Sequence, residues 1–294
     1  MNNKKVVPIR GYLLHLTHYD PHWYRRKLRE KPPDLRLSLT IIDAIATVGF
    51  NLLVLDCADA VVYKSHPELK RRYSISKSAL RRMVTHANSY GIDVVPKLNF
   101  SKTRYHKHNN WLRPYNRLPD NDKYFSVSFE LIDELIETCK PKHYFHIGMD
   151  EDHDRSHQEY ISTILRLRQG LKKRGLRTLI WNDSSHRGIA KVHASKSLTA
   201  EKRIPKDIIQ VIWDYKKIPR KDILRLIDEG FQVWGAPAQD PLQAFCWKQV
   251  ILQSGGKGLL MTAWIPTQAS NRRRLLNLIA TIGPIYSSPF LKNC

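Results

Sequence analysis

Two adjacent carboxylates are the most chemically specific feature of the chain. Asp150 and Glu151 close the segment HIGMDE, residues 146–151, which contains the end of a short apolar run. Repulsion between neighbouring carboxylates raises the pKa of one of them, which can then act as an acid near neutral pH. Neighbours on a regular strand point to opposite faces, so both can reach one substrate only where the backbone turns. Gly148 can supply the unusual dihedral angles of such a turn.

Tryptophans end four other apolar runs. These residues are Trp181, Trp213, Trp234 and Trp264, and carboxylates follow two of them at Asp183 and Asp214. A single buried tryptophan usually belongs to the core. Aromatic rings also stack on the C–H faces of sugars, while carboxylates bind hydroxyl groups or transfer protons. Four tryptophans at run ends, together with carboxylates, are typical of a sugar-binding pocket.

The apolar runs predict eight β-strands, and amphipathic patterns between them predict helices. The expected strands are residues 11–16, 51–55, 92–98, 143–147, 178–181, 208–213, 231–234 and 258–264. The expected helices are residues 37–47, 77–90, 129–138, 158–174, 220–228 and 273–281. Strands that are almost continuously apolar and joined by helices belong to a parallel sheet covered on both faces.

This alternation predicts an α/β fold, a closed (β/α)8 TIM barrel formed by residues 1–294 as a single domain. An open, doubly wound sheet is the alternative, but the sequence contains neither a GxGxxG motif nor a P-loop. Barrel enzymes hold their chemistry at the carboxyl ends of the strands. Besides the residues above, this rule selects His15, His18, Asp56, Asp59, Lys97, Asn99, Asn182 and Tyr215.

The pattern H-x-G-x-D-E at the end of the fourth strand resembles the signature of glycoside hydrolase family 20, the β-N-acetylhexosaminidases. Arg10-Gly11 is similar to the opening of that family. The segments DCAD (56–59) followed by Tyr63, WDY (213–215) and LMTAW (260–264) resemble the short, single-domain hexosaminidase D branch. The resemblance extends in order along nearly the whole chain.

The resemblance implies a retaining hydrolase that uses the acetamido group of the substrate as nucleophile and needs no cofactor or metal. Glu151 would be the general acid and then the base, and Asp150 would hold the acetamido N–H and stabilise the oxazolinium ion. Tyr215 would donate to the acetamido carbonyl. The remaining implied roles are a wall around the sugar (Trp181, Trp213, Trp264), contacts to outer hydroxyls or neighbours (Arg10, Asp59), and a buried support behind the acids (His146).

Several features are open at this level. Asp183 and Asp214 could bind arginine or hydroxyl groups, or could form turns at strand ends. The family often has a Gly-His pair after the third strand, where this chain has Lys97 to Lys102, so a supporting histidine is absent or comes from His106 or His108. The seventh strand offers Trp234 in place of the Tyr and Asp of larger enzymes. The choice between N-acetylglucosamine and N-acetylgalactosamine is left undecided.

Three alternatives compete with this interpretation. The acids from Asp150 to Asp152 could simply begin a helix, where negative charge is favoured. His153 and His157 have the spacing of metal ligands on one helical face, but they lack the glutamate of an HExxH motif. A barrel whose pocket has drifted could bind glycans or polyanions without catalysis.

The chain carries 49 Lys and Arg against 27 Asp and Glu, a formal net charge of +22. Basic residues cluster at 25–31, 70–72, 172–177, 216–221 and 272–274 without any nucleic-acid-binding motif. We therefore expect a solvated basic exterior with general attraction to polyanions, and a preference for anionic glycans outside the sugar pocket.

The cellular setting is predicted only from what the sequence lacks. It shows no convincing signal peptide and no apolar run long enough to span a membrane, which favours a soluble cytoplasmic protein. Four cysteines lie far apart without a CxxC pair, which favours free thiols. The oligomeric state is not predicted.

Overall fold

Eight parallel strands close into a barrel in chain order in the computed structural model, which describes residues 6–16, 31–103, 111–187 and 191–289. The strands are β1 Ile9–His15, β2 Leu52–Asp56, β3 Asp93–Lys97, β4 Tyr144–His146, β5 Arg177–Asn182, β6 Ile209–Asp214, β7 Val233–Pro237 and β8 Gly258–Thr262. The (β/α)8 fold predicted from the alternating pattern is confirmed.

A helix follows each strand and packs on the outside of the barrel. The helices are α1 Leu35–Thr47, α2 Lys77–Ser89, α3 Asp122–Cys139, α4 His157–Lys173, α5 Lys191–Glu201, α6 Arg220–Asp228, α7 Pro241–Ser254 and α8 Arg272–Ser287. Parallel pairing of β1 with β8, through Gly11 opposite Leu260, closes the barrel. The carboxyl ends of all strands therefore open on the same face.

Two buried clusters hold the fold together. A large outer cluster joins the strands to the helices, and a smaller one fills the barrel interior with side chains such as Leu13, Val54 and Val95. Trp181 and Trp234 both belong to the interior cluster. Space inside the barrel is therefore filled by side chains, and a ligand site must lie above this layer at the carboxyl face.

The fold differs from the predicted elements at four of them, α3, α5, α7 and β7. Helices α5 and α7 are additional to the six predicted, and α3 begins at Asp122, seven residues before its predicted start at residue 129. Strand β7 continues through Pro237, past its predicted end at Trp234. Gly235 within it is not a turn residue: an added Cβ would lie 2.7 Å from the ring of Trp247 on α7, so glycine allows that close packing.

Some predicted features lie outside the described residues. These are His18, His106, His108, the basic residues at 25–29, and Cys294.

Cys57, Cys139 and Cys246 are free thiols, as expected. None of the helices in the described ranges is long and apolar enough to cross a membrane.

Candidate active site

The turn after β4 brings the two adjacent carboxylates to the carboxyl face. Gly148, Met149 and Glu151 have φ angles of 72°, 77° and 51°, so three residues within four adopt the left-handed region. This conformation disfavours residues with a Cβ and is typical of functional turns. Gly148 cannot be replaced without movement, because an added Cβ would lie 2.2 Å from Oδ1 of Asn99. The predicted turn is therefore confirmed, and Asn99 packs directly against it.

Asn99, which follows β3, fixes the orientation of Asp150. Its Nδ2 donates to Oδ1 of Asp150 at 2.8 Å. Its Oδ1 accepts from the backbone N–H of Met149 at 3.1 Å and from the hydroxyl of Ser101 at 2.9 Å. Asn99 is buried, and both ends of its amide are engaged, so the side chain has one preferred orientation. The strand-end rule selects Asn99 from the sequence but assigns it no role.

Asp183, directly after β5, supports the other side of the turn. One carboxylate oxygen accepts from the backbone N–H of Glu151 at 2.8 Å, and the other accepts from the indole N–H of Trp213 at 2.8 Å. Burial and the nearby charge of Asp150 raise the pKa of Asp183 well above its usual value, although the two donors act in the opposite direction. Asp183 thus joins the turn to an aromatic side chain of β6.

Aromatic side chains from β5, from β6 and from the segments that follow β6 and β8 meet beside the acids. The indole N–H of Trp264 donates to the hydroxyl of Tyr215 at 2.5 Å. The ring of Trp264 lies 5.8 Å from that of Trp181, and Trp213 lies 5.3 Å from Tyr215 between ring centroids. Desolvation of the hydroxyl raises the pKa of Tyr215 to about 12. The phenol is therefore protonated at neutral pH and can donate a hydrogen bond.

A cavity of about 440 Å³ opens next to this group. Glu151, Trp213 and Tyr215 line it together with Asp183, Ser185, His186, His193, Asp214, Lys216 and Lys217. This size is within the range of small-molecule sites. The general-acid candidate thus faces a space that can hold a ligand.

A buried group of three titratable side chains lies beneath the aromatic group. Asp56 accepts from Nζ of Lys97 at 2.8 Å and contacts Nδ1 of His15 at 2.9 Å. Burial alone would raise the pKa of Asp56, but the charge of Lys97 and the hydrogen bond from His15 lower it well below its usual value. Lys97 lies 5.6 Å from the ring of Trp264, and His15 meets the same ring edge-on. The triad supports Trp264 from below.

His146 ends β4 and lies directly before the turn that carries the two acids. It is fully buried, and its Nδ1 accepts from the backbone N–H of Gly148 at 3.0 Å. Burial and the charge of Lys97 lower the pKa of His146 well below its usual value, which keeps the ring neutral. Its ring lies 4.6 Å from that of Trp181. His146 therefore anchors the turn from beneath.

A second charge network holds the backbone just after the acids. Asp152 accepts from the guanidinium of Arg155 at 2.6 Å and from the backbone N–H of Lys102 at 2.7 Å. Arg155 also donates to Asp120 at 2.6 Å, and Nζ of Lys196 donates to the carbonyl of Asp152 at 2.7 Å. Helix α5 was not predicted because its buried face contains polar side chains such as Lys196.

Two predicted substrate contacts are wrong in their placement. Arg10 lies at the amino end of β1, where its guanidinium donates to the carbonyls of Gly49 and Val7 at 2.7 Å each. Trp234 is the second residue of β7 and is fully buried in the barrel interior, 5.3 Å from the ring of Tyr144. Both residues lie toward the face opposite the acids and serve the fold.

Asp59 and Asp214 both bind groups of the protein itself. For Asp59 the sequence left open a contact to hydroxyl groups or to neighbours, and for Asp214 a ligand contact or a turn. Asp59 is fully buried and accepts from the hydroxyl of Tyr73 at 2.7 Å, so it positions neighbours. Oδ1 of Asp214 accepts from the backbone N–H groups of Lys216 at 2.9 Å and Lys217 at 3.1 Å. Asp214 is thus a turn former after β6, although it also lines the cavity.

The helix-start explanation of the acids is wrong. Helix α4 begins at His157, and its N-cap is Ser156, which forms a capping box with Glu159. Asp150 and Glu151 precede this cap by several residues, so the helix has its own N-terminal partners without them.

The proposed pairing of His153 with His157 on one helical face also fails. His153 precedes the helix and contacts the hydroxyl of Thr103 at 2.9 Å, whereas His157 contacts the hydroxyl of Ser195 at 2.8 Å. Over the residues that the structure describes, no three His, Cys, Asp or Glu side chains are arranged to hold a metal ion.

Solved structures of family 20 glycoside hydrolases are similar to this chain over nearly its whole length. The exo-β-N-acetylglucosaminidase from Vibrio harveyi, solved with N-acetylglucosamine, superposes with a TM-score of 0.68 at 14% identity, covering 98% of this chain and 55% of that enzyme. A variant of the Streptomyces plicatus β-hexosaminidase, solved with its product N-acetylglucosamine, gives 0.71 at 14% identity, covering 97% of this chain and 64% of that enzyme.

Dispersin B matches along its full length, with a TM-score of 0.61 at 16% identity and coverage of 96% of this chain and 99% of that protein. The chain shares the fold of these proteins. It spans 55% and 64% of the length of the Vibrio and Streptomyces enzymes, respectively. No protein-family model and no curated protein sequence matches the chain.

Proposed function

We propose that the chain is a retaining exo-β-N-acetylhexosaminidase that removes terminal β-linked N-acetylglucosamine or N-acetylgalactosamine by substrate-assisted catalysis. The observation that carries the proposal is the hydrogen bond by which Asn99 orients Asp150 directly beside Glu151. One oriented carboxylate and one carboxylate facing a cavity provide the two separate roles that this chemistry requires. The shared fold and the signature HIGMDE support the same conclusion.

The first step forms a bond within the substrate. The acetamido carbonyl oxygen attacks the anomeric carbon, the bond from that carbon to the leaving oxygen breaks, and Glu151 gives its proton to the leaving oxygen. The product is an oxazolinium ion. Asp150 accepts a hydrogen bond from the acetamido N–H, which aims the carbonyl oxygen and stabilises the positive charge that develops.

The second step reverses the role of Glu151. As a carboxylate it takes a proton from water, the water oxygen bonds to the anomeric carbon, and the oxazolinium ring opens to restore the acetamido group. Two displacements at one carbon retain the β configuration.

Tyr215 is the hydrogen-bond donor to the acetamido carbonyl. The indole N–H of Trp264 already occupies one lone pair of its hydroxyl. The phenol proton therefore points away from Trp264, toward an acceptor such as Thr262, whose hydroxyl is 3.4 Å away, or the substrate. A donor fixed in this way holds the carbonyl oxygen in the position from which it attacks the anomeric carbon.

Hydrolysis of 4-nitrophenyl N-acetyl-β-glucosaminide and of the corresponding galactosaminide tests the proposal. The unmutated protein should release nitrophenol from at least one of them, and chelators should not inhibit it. Glu151→Gln should lower kcat/KM by about 10²–10⁴-fold for sugar leaving groups, and by less for nitrophenol, which leaves without full protonation.

Glu137→Gln is the matched control, because Glu137 is exposed on α3; it should retain activity. A folded unmutated protein that hydrolyses neither nitrophenyl sugar would refute the proposal. If it also bound DNA with salt-dependent affinity, the barrel would be a polyanion-binding protein instead.

A further inference from the structure

The cavity beside Glu151 extends to a basic rim formed by Lys216 and Lys217. Its lining includes Glu151 but, among the described residues, neither Asp150 nor Trp264. In the proposed reaction Asp150 holds the acetamido group of the terminal sugar, whereas Glu151 protonates the oxygen that leads to the rest of the substrate. Trp213 and Tyr215 place the terminal sugar in one part of this cavity, so the part next to Lys216 and Lys217 is the space for the leaving group, or aglycone.

The carboxylates near this rim are turned inward. Asp214 is buried, and its Oδ1 accepts from the backbone N–H groups of Lys216 and Lys217. Asp183 is also buried and accepts from Glu151 and Trp213. Hydrogen bonds to backbone and indole donors satisfy these oxygens, and neither carboxylate lies in an ion pair with a rim lysine.

The ammonium groups of the rim are turned outward. Lys216 and Lys217 are both exposed, and within residues 6–16, 31–103, 111–187 and 191–289 neither forms an ion pair with a carboxylate. Two positive charges on adjacent, exposed residues that line one cavity attract an anion bound there, because charges in close contact are screened least by salt. A neutral aglycone lacks this charge attraction.

His186 adds a neutral polar group to the same cavity. Its ring lies 4.0 Å from the ring of Trp213, and burial lowers the pKa of His186 below its usual value. Its Nδ1 is buried and has no hydrogen-bond partner in the described part of the chain. An uncharged imidazole can donate one N–H to an anionic oxygen that the two lysines attract.

We propose that the enzyme prefers β-N-acetylhexosaminides whose aglycone sugar carries an anionic group, a carboxylate or a sulfate, and that Lys216 and Lys217 recognise this group. The inference rests on the proposed hexosaminidase activity and names the substrate class of the same site. It uses only two of the many basic residues, so it differs from general attraction of the basic exterior to polyanions.

Three disaccharides test this preference. Each has the N-acetylhexosamine that the nitrophenyl assay selects, β-linked to glucose, to glucuronic acid or to glucose 6-sulfate. At low ionic strength, kcat/KM for one or both anionic disaccharides should exceed that for the neutral one by about three- to tenfold. Added salt should reduce this ratio toward one. The two anionic arms distinguish a carboxylate from a sulfate.

The double variant Lys216→Gln/Lys217→Gln should reduce the ratio to near one. Lys172→Gln/Lys173→Gln is the matched control, since both lysines are exposed in the last turn of α4, which leads to the amino end of β5. It removes the same charge and should keep the wild-type ratio.

Two results would overturn the inference and leave the proposed function intact: equal kcat/KM for neutral and anionic disaccharides, or an unchanged ratio in the Lys216/Lys217 variant. Absence of hydrolysis of every disaccharide and of both nitrophenyl sugars would instead refute the hexosaminidase activity, and this inference with it.

Discussion

The side-chain amide of Asn99 donates to the carboxylate of Asp150 across 2.8 Å, from the end of β3 to the turn after β4. The same amide accepts from the backbone of that turn at Met149. Two strands of the barrel thus set the position of one carboxylate oxygen. A carboxylate held in this way can orient an acetamido group without first reorganising.

Replacement of Asn99 by alanine should therefore reduce the rate of the chemical step more than it weakens substrate binding. We expect kcat to fall about 10- to 100-fold with a smaller change in KM, because Asp150 loses its orientation but keeps its charge. Asn277→Ala, on an exposed position of α8, should leave both parameters unchanged. A loss that affects only KM would show that Asn99 does not act through Asp150.

Asp183→Asn should damage both the turn and the aromatic wall. Two donors, from Glu151 and Trp213, face the two carboxylate oxygens of Asp183. An asparagine offers one oxygen, so its NH2 group must face a donor, and we expect a loss of about 1–3 kcal/mol of stability with reduced kcat/KM. Urea denaturation and steady-state kinetics check this, with exposed Asp228→Asn as control. Wild-type stability in Asp183→Asn would contradict the bonding described here.

Tyr215→Phe removes the fixed donor and leaves the ring in place. We expect kcat to fall about 10²-fold, because the acetamido carbonyl loses the group that positions it for attack. Because the pKa of Tyr215 is raised to about 12, its loss should not alter the pH–rate profile below pH 9. A changed alkaline limb of that profile would instead indicate that Tyr215 titrates during the reaction.

Asp120 should stabilise the fold in a pH-dependent way. Burial acts to raise its pKa, but hydrogen bonds and charge from Arg155 and Lys102 lower the pKa of Asp120 to about 2. A lowered pKa stabilises the fold above the pKa of the unfolded chain, near 3.8, and this contribution is lost as the pH falls toward 2. Since the carboxylate is partly exposed, we expect Asp120→Asn to cost about 1–2 kcal/mol at pH 7.

Urea midpoints of the wild type and Asp120→Asn measure this difference, which should narrow between pH 5 and pH 3. Asp122→Asn is the control, because the side chain of Asp122 is 96% exposed, and it should change stability little at either pH. A difference that stays constant with pH would mean that the ionised carboxylate is not what stabilises the network.

The fold was predictable because apolar runs and helical patterns alternate along the chain. The two missed helices lack that signal for different reasons. The face of α5 that packs inward carries His193, Lys196 and Glu201, so its apolar residues have no helical period. Helix α7 places Trp247 and Ile251 inside, but it also has Leu242 on an exposed position, 70% accessible.

The place of Asp150 and Glu151 beside a group of aromatic side chains was predictable from the motif HIGMDE and the strand-end rule. The two wrong substrate contacts are residues whose position along the barrel axis cannot be read from the sequence. Trp234 lies two residues into β7, not at its end, and Arg10 lies near the amino end of β1. The role of Asn99 depends on the register between β3 and β4, where Lys97 pairs with His146; no local pattern encodes that contact.

Substrate assistance is the central claim, and the rate dependence on acetamido nucleophilicity tests it most directly. The measurement is kcat/KM for the favoured 4-nitrophenyl N-acetyl-β-hexosaminide and for its mono-, di- and trifluoroacetyl analogues. Each fluorine withdraws electrons from the carbonyl oxygen. If that oxygen attacks the anomeric carbon, the logarithm of kcat/KM should fall steadily with fluorination. A rate that stays constant across the series, or a carboxylate of the protein that becomes covalently labelled by a fluorosugar, would contradict the account.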